Sequence, residues 1–167
     1  VVDSNGIDIN IYKKNLIPKE FFKIGDKIRF CLIEQDGRYV GDRSSENFVC
    51  ELLKEEVPSI KNGDISIVSC SRIPGFRTKL IVKNNSKNQK TDVVRLCVGN
   101  KGSYIKNVQK NLNGEFIDII PFEEDPAKML LKAISPVNVS KMIIDEDNKI
   151  IRIAIDSDHI SQTIGKN

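Results

Sequence analysis

The stretch Thr91-Asp92-Val93-Val94-Arg95-Leu96-Cys97-Val98-Gly99-Asn100-Lys101-Gly102-Ser103-Tyr104-Ile105 joins two short apolar helices through a Gly-x-x-Gly step. Thr91-Asp92 supplies an N-cap for a first helix carrying Val93, Val94, Leu96 and Cys97. Ser103 is expected to cap a second helix, whose apolar residues Ile105, Val108 and Leu112 fall at i, i+3 and i+7, with Lys106 and Lys110 off that stripe. Asn113-Gly114 ends it. Two glycines three apart often close an ordinary turn, so the spacing alone is a weak signal. Its place between two helices strengthens it. Glycines there let the backbone approach a phosphate without a Cβ in the way, and the exposed N–H groups opening the second helix favour an anion.

Upstream, Ser44-Ser45 precedes Phe48, Val49, Leu52 and Leu53, a helical stripe that Pro58 ends. Asn62-Gly63 turns the chain into a strand from Asp64 to Cys70, and Pro74-Gly75 turns it into a second from Arg77 to Lys83, giving a β hairpin. Asn84 to Lys90 is a polar loop, and beyond the two helices Glu115 to Phe122 is a strand. The order is helix, strand, strand, helix, Gly loop, helix, strand. The series then begins again. Asp125-Pro126 opens a helix that Pro136 stops, strands span Val139 to Ile144 and Lys149 to Ile155 around an acidic turn, and Ser157-Asp158 caps a helix reaching Gly165-Lys166-Asn167. Before the first unit, Ile7, Ile9 and Ile11 and then Lys27 to Ile33 show strand patterns, with Asp36-Gly37 as a tight turn, suggesting part of a small β barrel.

With 40% hydrophobic and 29% charged residues the 167-residue chain can bury a real core. The net charge of +3 hides its distribution. Lys61 to Lys110 holds eleven Lys or Arg against Asp64 and Asp92, a local net of +9, while residues 1–60 and 111–167 carry net charges of −2 and −4. A positive middle third attracts phosphate and releases counterions on binding a nucleic-acid backbone; a solvated Lys-rich face is the plain alternative.

A Gly loop between two helices, beside an apolar groove and inside a basic unit, is the arrangement by which KH domains clamp about four single-stranded nucleotides. The likeness extends further. Glu56-Val57-Pro58-Ser59-Ile60, then Ser71-Arg72-Ile73-Pro74-Gly75-Phe76-Arg77-Thr78-Lys79, then Cys97 to Ser103, then Gly114-Glu115-Phe116-Ile117-Asp118-Ile119-Ile120 resemble, in order and spacing, the NusA family of bacterial transcription elongation, termination and antitermination factors. Ala133 to Val139 and Ile164-Gly165-Lys166 resemble that family's second KH domain, and Ile17-Pro18-Lys19-Glu20 with Ile24 to Ile28 resemble the closing half of its OB-type barrel.

The resemblance implies an α+β fold: a partial OB-fold barrel over residues 1–43, a complete type II KH domain with its leading helix over 44–122, and a second KH domain over 123–167 that stops inside its own Gly loop. It implies a non-catalytic protein without cofactor or metal, working in the cytoplasm on single-stranded nascent RNA, with RNA polymerase reached through regions outside this chain. Gly99, Asn100, Lys101, Gly102 and Ser103 are then the phosphate-gripping loop, with Lys106 beside it, and Gly165 and Lys166 open the second loop. Arg72, Arg77 and Lys79 join the RNA-facing set, pairing with a nearby carboxylate being the alternative for a strand-turn arginine. The chain reads as a piece of something longer.

Other classes have less support. Cys31, Cys50, Cys70 and Cys97 form no C-x-x-C pair and read as buried thiols in a reducing compartment. His159 is the sole histidine, which removes most His-based triads and multi-histidine metal sites. Glu123-Glu124-Asp125 and Asp145-Glu146-Asp147 lie in turns without metal-ligand spacing. No apolar run approaches the roughly 18 residues of a membrane span. A ribosomal or ribosome-assembly KH protein, or a scaffold whose loop binds no RNA, remains as an alternative to the family reading.

Overall fold

In the computed structural model, which describes residues 1–4, 6–86 and 91–164, strands β1 (Val2–Ser4) and β2 (Ile7–Ile9) pair antiparallel. Strands β3 (Cys31–Gln35) and β4 (Arg38–Asp42) form a second pair. Asp36 and Gly37 close it with φ of 53° and 72°, the tight turn expected of Asp-Gly. A parallel bridge between Asn10 and Val40 links the two pairs, and the Gly41 N–H donates to the Asn10 carbonyl (2.8 Å). The strand expected over Lys27 to Ile33 starts only at Cys31, because the register of β3 on β4 ends at Cys31 opposite Asp42. Among the described residues these pairs do not close into a barrel.

Asp42 ends β4 by opening α1 (Glu46–Glu56). Its carboxylate accepts the N–H groups of Ser44 (3.3 Å) and Ser45 (3.0 Å), the Ser44 hydroxyl (2.9 Å) and the Asn15 amide (3.2 Å). Ser45 occupies the N-cap position, but its own hydroxyl makes no capping bond, which corrects the expected serine cap; Asp42 holds the two serines that lead into the helix. The apolar face is as the periodicity predicts: Phe48, Val49, Leu52 and Leu53 are buried, each contributing about 1.5–3 kcal/mol. Pro58 both ends this helix and opens the next, standing at the start of α2 (Pro58–Lys61), where its missing N–H costs nothing.

Strands β5 (Ile65–Ile73) and β6 (Arg77–Asn84) form the predicted hairpin, with an irregularity between Ile67 and Ser69. Helices α3 (Val93–Val98) and α4 (Ser103–Asn111) follow, and β7 (Phe116–Pro121) lies beside β6 in a three-stranded sheet ordered β5-β6-β7. One core holds them: Phe48, Val49, Leu52 and Leu53 of α1 meet Ile65, Leu80 and Val82 of the sheet and Val93, Cys97, Ile105, Val108 and Leu112 of the α3–α4 region. Burial pushes the Cys97 thiol up to about 11. Cys31, Cys50 and Cys70 are only half-buried, at the margin of that core, which corrects the expectation of four buried thiols.

An ion pair lies at the end of the hairpin. Arg72 and Glu115, with side chains 1% and 0% exposed, meet at 3.0 Å. The carboxylate also accepts the Gly75 N–H (2.8 Å) and the Thr78 hydroxyl, while Arg72 Nη1 donates to the carbonyls of Arg43 (2.8 Å) and Ser45 (2.6 Å) at the start of α1. A second buried arginine stitches the N-terminal strands to the same unit. Arg43 donates to Glu20, to the Arg29 carbonyl and to the Asn111 carbonyl (2.8 Å), with its guanidinium 4.8 Å from the Phe48 ring centroid. Val1–Ile119 accordingly form one compact unit.

Ile120–Asn167 form the other. Here α5 (Pro126–Ile134) is capped by Asp125, which accepts from Ala127 N–H (2.8 Å) and Lys128 N–H (3.3 Å). Glu123 pairs with Lys132. Strands β8 (Val139–Asp145) and β9 (Ile150–Ile155) make a hairpin whose turn is tied by Asp145 to Asn148, and α6 (Ile160–Ile164) follows. The first acidic cluster thus caps and braces a helix, and Asp145 ties a turn. No group of three or more His, Cys, Asp or Glu among the described residues is placed to hold a metal, and no described helix is long and apolar enough to cross a membrane.

Glu115→Ala should cost about 3–5 kcal/mol in urea unfolding, because it strands a buried guanidinium, and Glu115→Gln should cost less. Asp42 gives a pH signature. Burial raises its pKa, but the hydrogen bonds from Ser45, Asn15 and Ser44 outweigh this and hold it below the ordinary carboxylate value. Its stabilisation is therefore complete above about pH 4 and lost as pH falls through the lower folded value. Urea midpoints measured down this range should fall more steeply for the native chain than for Asp42→Asn.

Candidate functional site

Helix α3 stops where its chain can no longer be an L-residue helix. Gly99 takes φ 78° and ψ 177°, a conformation essentially reserved for glycine, while its N–H still donates to the Arg95 carbonyl (3.0 Å). A Cβ on Gly99 would lie 2.6 Å from Tyr104 Cδ2 and 2.8 Å from Ser103 Oγ. The loop therefore folds flat against the first turn of α4. Asn100–Gly102 make a single 3-10 turn closed by the Gly102 N–H on the Gly99 carbonyl (3.2 Å). Within it Lys101 is left-handed (φ 51°, ψ 28°), as is Gly102 (φ 78°, ψ 20°). A left-handed lysine costs roughly 1–2 kcal/mol. That cost is met while the Asn100 and Lys101 side chains stand in solvent.

The geometry corrects one expectation. Ser103 is the first residue of α4 rather than its cap; Gly102 holds the N-cap position and brings no side chain to it. The N–H groups of the first turn therefore have no side-chain cap, which is the condition for receiving an anion. Lys106, one turn on, runs its stem beside Gly102: its Cε lies 3.6 Å from where a Gly102 Cβ would be. Lys101 and Lys106 are both exposed and flank one helix N-terminus. Beside the loop, Val94, Val98 and Tyr104 are half-buried against the core and Leu96 is exposed.

The structure therefore brings together Gly99, Asn100, Lys101, Gly102, Ser103 and Lys106. It does not bring Arg72 to them. Arg72 is buried with every nitrogen engaged by Glu115 and two backbone carbonyls, so it serves the fold and leaves the ligand-facing set. The signal for this in sequence is Glu115 itself, a carboxylate at a core-facing position of an apolar strand. Arg77 is half exposed, 3.2 Å from Asp118 and 5.7 Å from the centroid of the Phe116 ring. Lys79 shares its sheet face, since Thr78 and Leu80 between and beyond them are buried. Sequence reasoning missed Tyr104, whose ring adds to the glycine-only backbone in excluding a side chain at Gly99. Gly165 and Lys166 lie outside the described residues.

Comparison with known proteins gives these features a family. Residues 43–122 match the family described as NusA-like first KH domain, and residues 126–167 match the NusA-like second KH domain. Among curated proteins the chain is 33% identical over 171 residues to a "Transcription termination/antitermination protein NusA" of Borreliella burgdorferi, covering 99% of this chain and 35% of that one. It is 31% identical over 156 residues to the protein of the same name from Mycobacterium bovis, covering 90% of this chain and 44% of that one. The chain thus spans less than half the length of these relatives. A solved structure titled "Crystal structure of APE1850" aligns with 72% of this chain and 79% of that one at 17% identity and a TM-score of 0.47, too slight a likeness to bear on fold or function.

The two glycines should differ on substitution. Gly99→Ala meets both the Tyr104 ring and a forbidden φ, and should lower stability by about 2–3 kcal/mol. A Cβ on Gly102 would meet only the flexible Lys106 stem at an ordinary contact distance, and asparagine tolerates the left-handed φ, so Gly102→Asn should stay within about 1 kcal/mol of the parent in thermal or urea unfolding.

Proposed function

The chain belongs to the NusA-like family, and from that premise we propose that it holds single-stranded RNA, gripping phosphates at Gly99-Asn100-Lys101-Gly102-Ser103 as part of a transcription termination and antitermination factor. The observation that supports this reading is the loop's backbone: positive φ at Gly99, Lys101 and Gly102 leads into an α4 N-terminus with no side-chain cap, and exposed Lys101 and Lys106 lie on either side of it. An anion there meets donors already oriented and loses no ordering entropy to the loop. The apolar residues beside it offer a surface for bases, and one such loop accommodates about four nucleotides.

The reading extends to organisation. Residues 1–43 act as a partial barrel module, 44–122 as the first KH module and 123–167 as the second, whose Gly165 and Lys166 begin an equivalent loop. Modules in series hold an extended transcript because each contact raises the local concentration of RNA for the next. The RNA is nascent transcript in the cytoplasm, and the polymerase is engaged through parts of the protein beyond this chain. No covalent step is involved; the work is binding.

A gel-shift series with single-stranded RNA of increasing length tests the reading. The double variant Asn100→Asp/Lys101→Asp should lose at least about tenfold in affinity at moderate salt. Its slope of log affinity against log salt should be shallower by about one for the lost cation. Its thermal midpoint should stay near the parent's, since both side chains are in solvent. An affinity equal to the parent's would remove the loop from the binding site.

A further inference from the structure

Strand β6 buries Thr78, Leu80 and Val82 against the helices, so by alternation Arg77, Lys79 and Lys83 emerge on the outer face of the sheet. On β7, Ile117 and Ile119 pack toward the same core, which puts Phe116 and Asp118 on that outer face too. Phe116 is 60% exposed, and its N–H donates to the carbonyl of Phe76 at the hairpin turn (3.0 Å), itself 44% exposed. The Arg77 guanidinium stands over the Phe116 ring while bound to Asp118, so the ring is held between a cation and open solvent. On β5, across β6 from the ring, the registers of Ile73 with Arg77, Ser71 with Lys79 and Ser69 with Ile81 place exposed Ile73 and two serines on this face.

We propose that this outer sheet face is a second contact for single-stranded RNA, on which Phe116 stacks a base while Arg77, Lys79 and Lys83 follow the phosphates. The inference rests on the RNA-binding reading of the Gly99–Ser103 loop and lengthens the segment held beyond what that loop clamps. Charge decides the partner: among the described residues named on this face, three are cations and one, Asp118, is a carboxylate. An exposed aromatic ring beside a cationic track is the composition of surfaces that bind single strands without reading sequence. Arg77 and Lys79, two residues apart along the strand, are spaced by about 6.6 Å, on the scale of an extended sugar-phosphate backbone, and Lys83 lies four residues further on. The exposed apolar side chains here, Phe116, Phe76 and Ile73, are interleaved with Arg77 and Lys79, a patch too small and too charged for the apolar centre of a protein interface.

The chain contains no tryptophan, so Phe116→Trp installs a single fluorophore at the proposed platform. It should be titrated with RNA of about four nucleotides and of about twelve. The longer RNA should quench the new tryptophan, and Phe116→Ala should bind it about tenfold more weakly while holding the four-nucleotide RNA within about twofold of the parent. Tryptophan emission that ignores the longer RNA, together with parental affinity in Phe116→Ala, overturns the sheet-face contact; if Asn100→Asp/Lys101→Asp still loses binding, the loop reading stands without it. The converse pattern, with the Phe116 effects present and the loop variant binding as the parent does, supports the face and removes the loop. A parent chain that binds neither RNA overturns both.

Discussion

A buried guanidinium and a buried carboxylate, Arg72 and Glu115, hold the first KH unit in one piece. The pair joins strand β5 to the segment between α4 and β7, and through Arg72 Nη1 it also fastens the start of α1. Neither charge has water to turn to, so each is tolerable only while the other is in place and every remaining donor and acceptor is met. Glu115 meets that condition with Gly75 and Thr78, which ties the hairpin turn to the same point. Three elements distant in sequence thereby acquire a fixed relation. The helix-on-sheet core formed by Phe48, Leu53, Leu80 and Val108 can then pack at one register.

That rigidity bears on the Gly loop. The loop's left-handed lysine and its glycine-only step at Gly99 are unfavourable in isolation, and they persist because α3 and α4 are anchored by buried Val93, Cys97, Ile105 and Val108 on either side. Tyr104 presses on Gly99 from within α4. The core therefore enforces the backbone shape on which the proposed phosphate grip depends, and the charged side chains stand in solvent nearby.

Five of the cations in the basic stretch of local net +9 divide between two surfaces once the chain is folded. Lys101 and Lys106 sit at the N-terminus of α4, whereas Arg77, Lys79 and Lys83 line the sheet face turned away from the helices. Arg72, counted in the same sum, faces neither. A linear charge count thus identifies the basic module but assigns no cation to a surface, because strand alternation and burial separate residues that lie within a few positions of one another.

Much of this architecture was legible in the chain alone. The element order, the turns at Asp36-Gly37, Asn62-Gly63 and Pro74-Gly75, the apolar stripe of α1 and the Gly-x-x-Gly step all follow from signals that act within one helical turn or one hairpin. What the tertiary structure decided were matters of distant partnership. Arg72 became structural because a carboxylate 43 residues away is buried against it. The serines leading into α1 are held by Asp42, which β4 delivers, and Ser45 at the N-cap position makes no side-chain capping bond. Lys27 to Phe30 stay outside a strand because β4 offers them no register beyond Asp42. Local sequence determines the conformations a segment favours; the choice of partner for a charge, a cap or a strand edge depends on which groups the packed core excludes from water and brings within bonding distance.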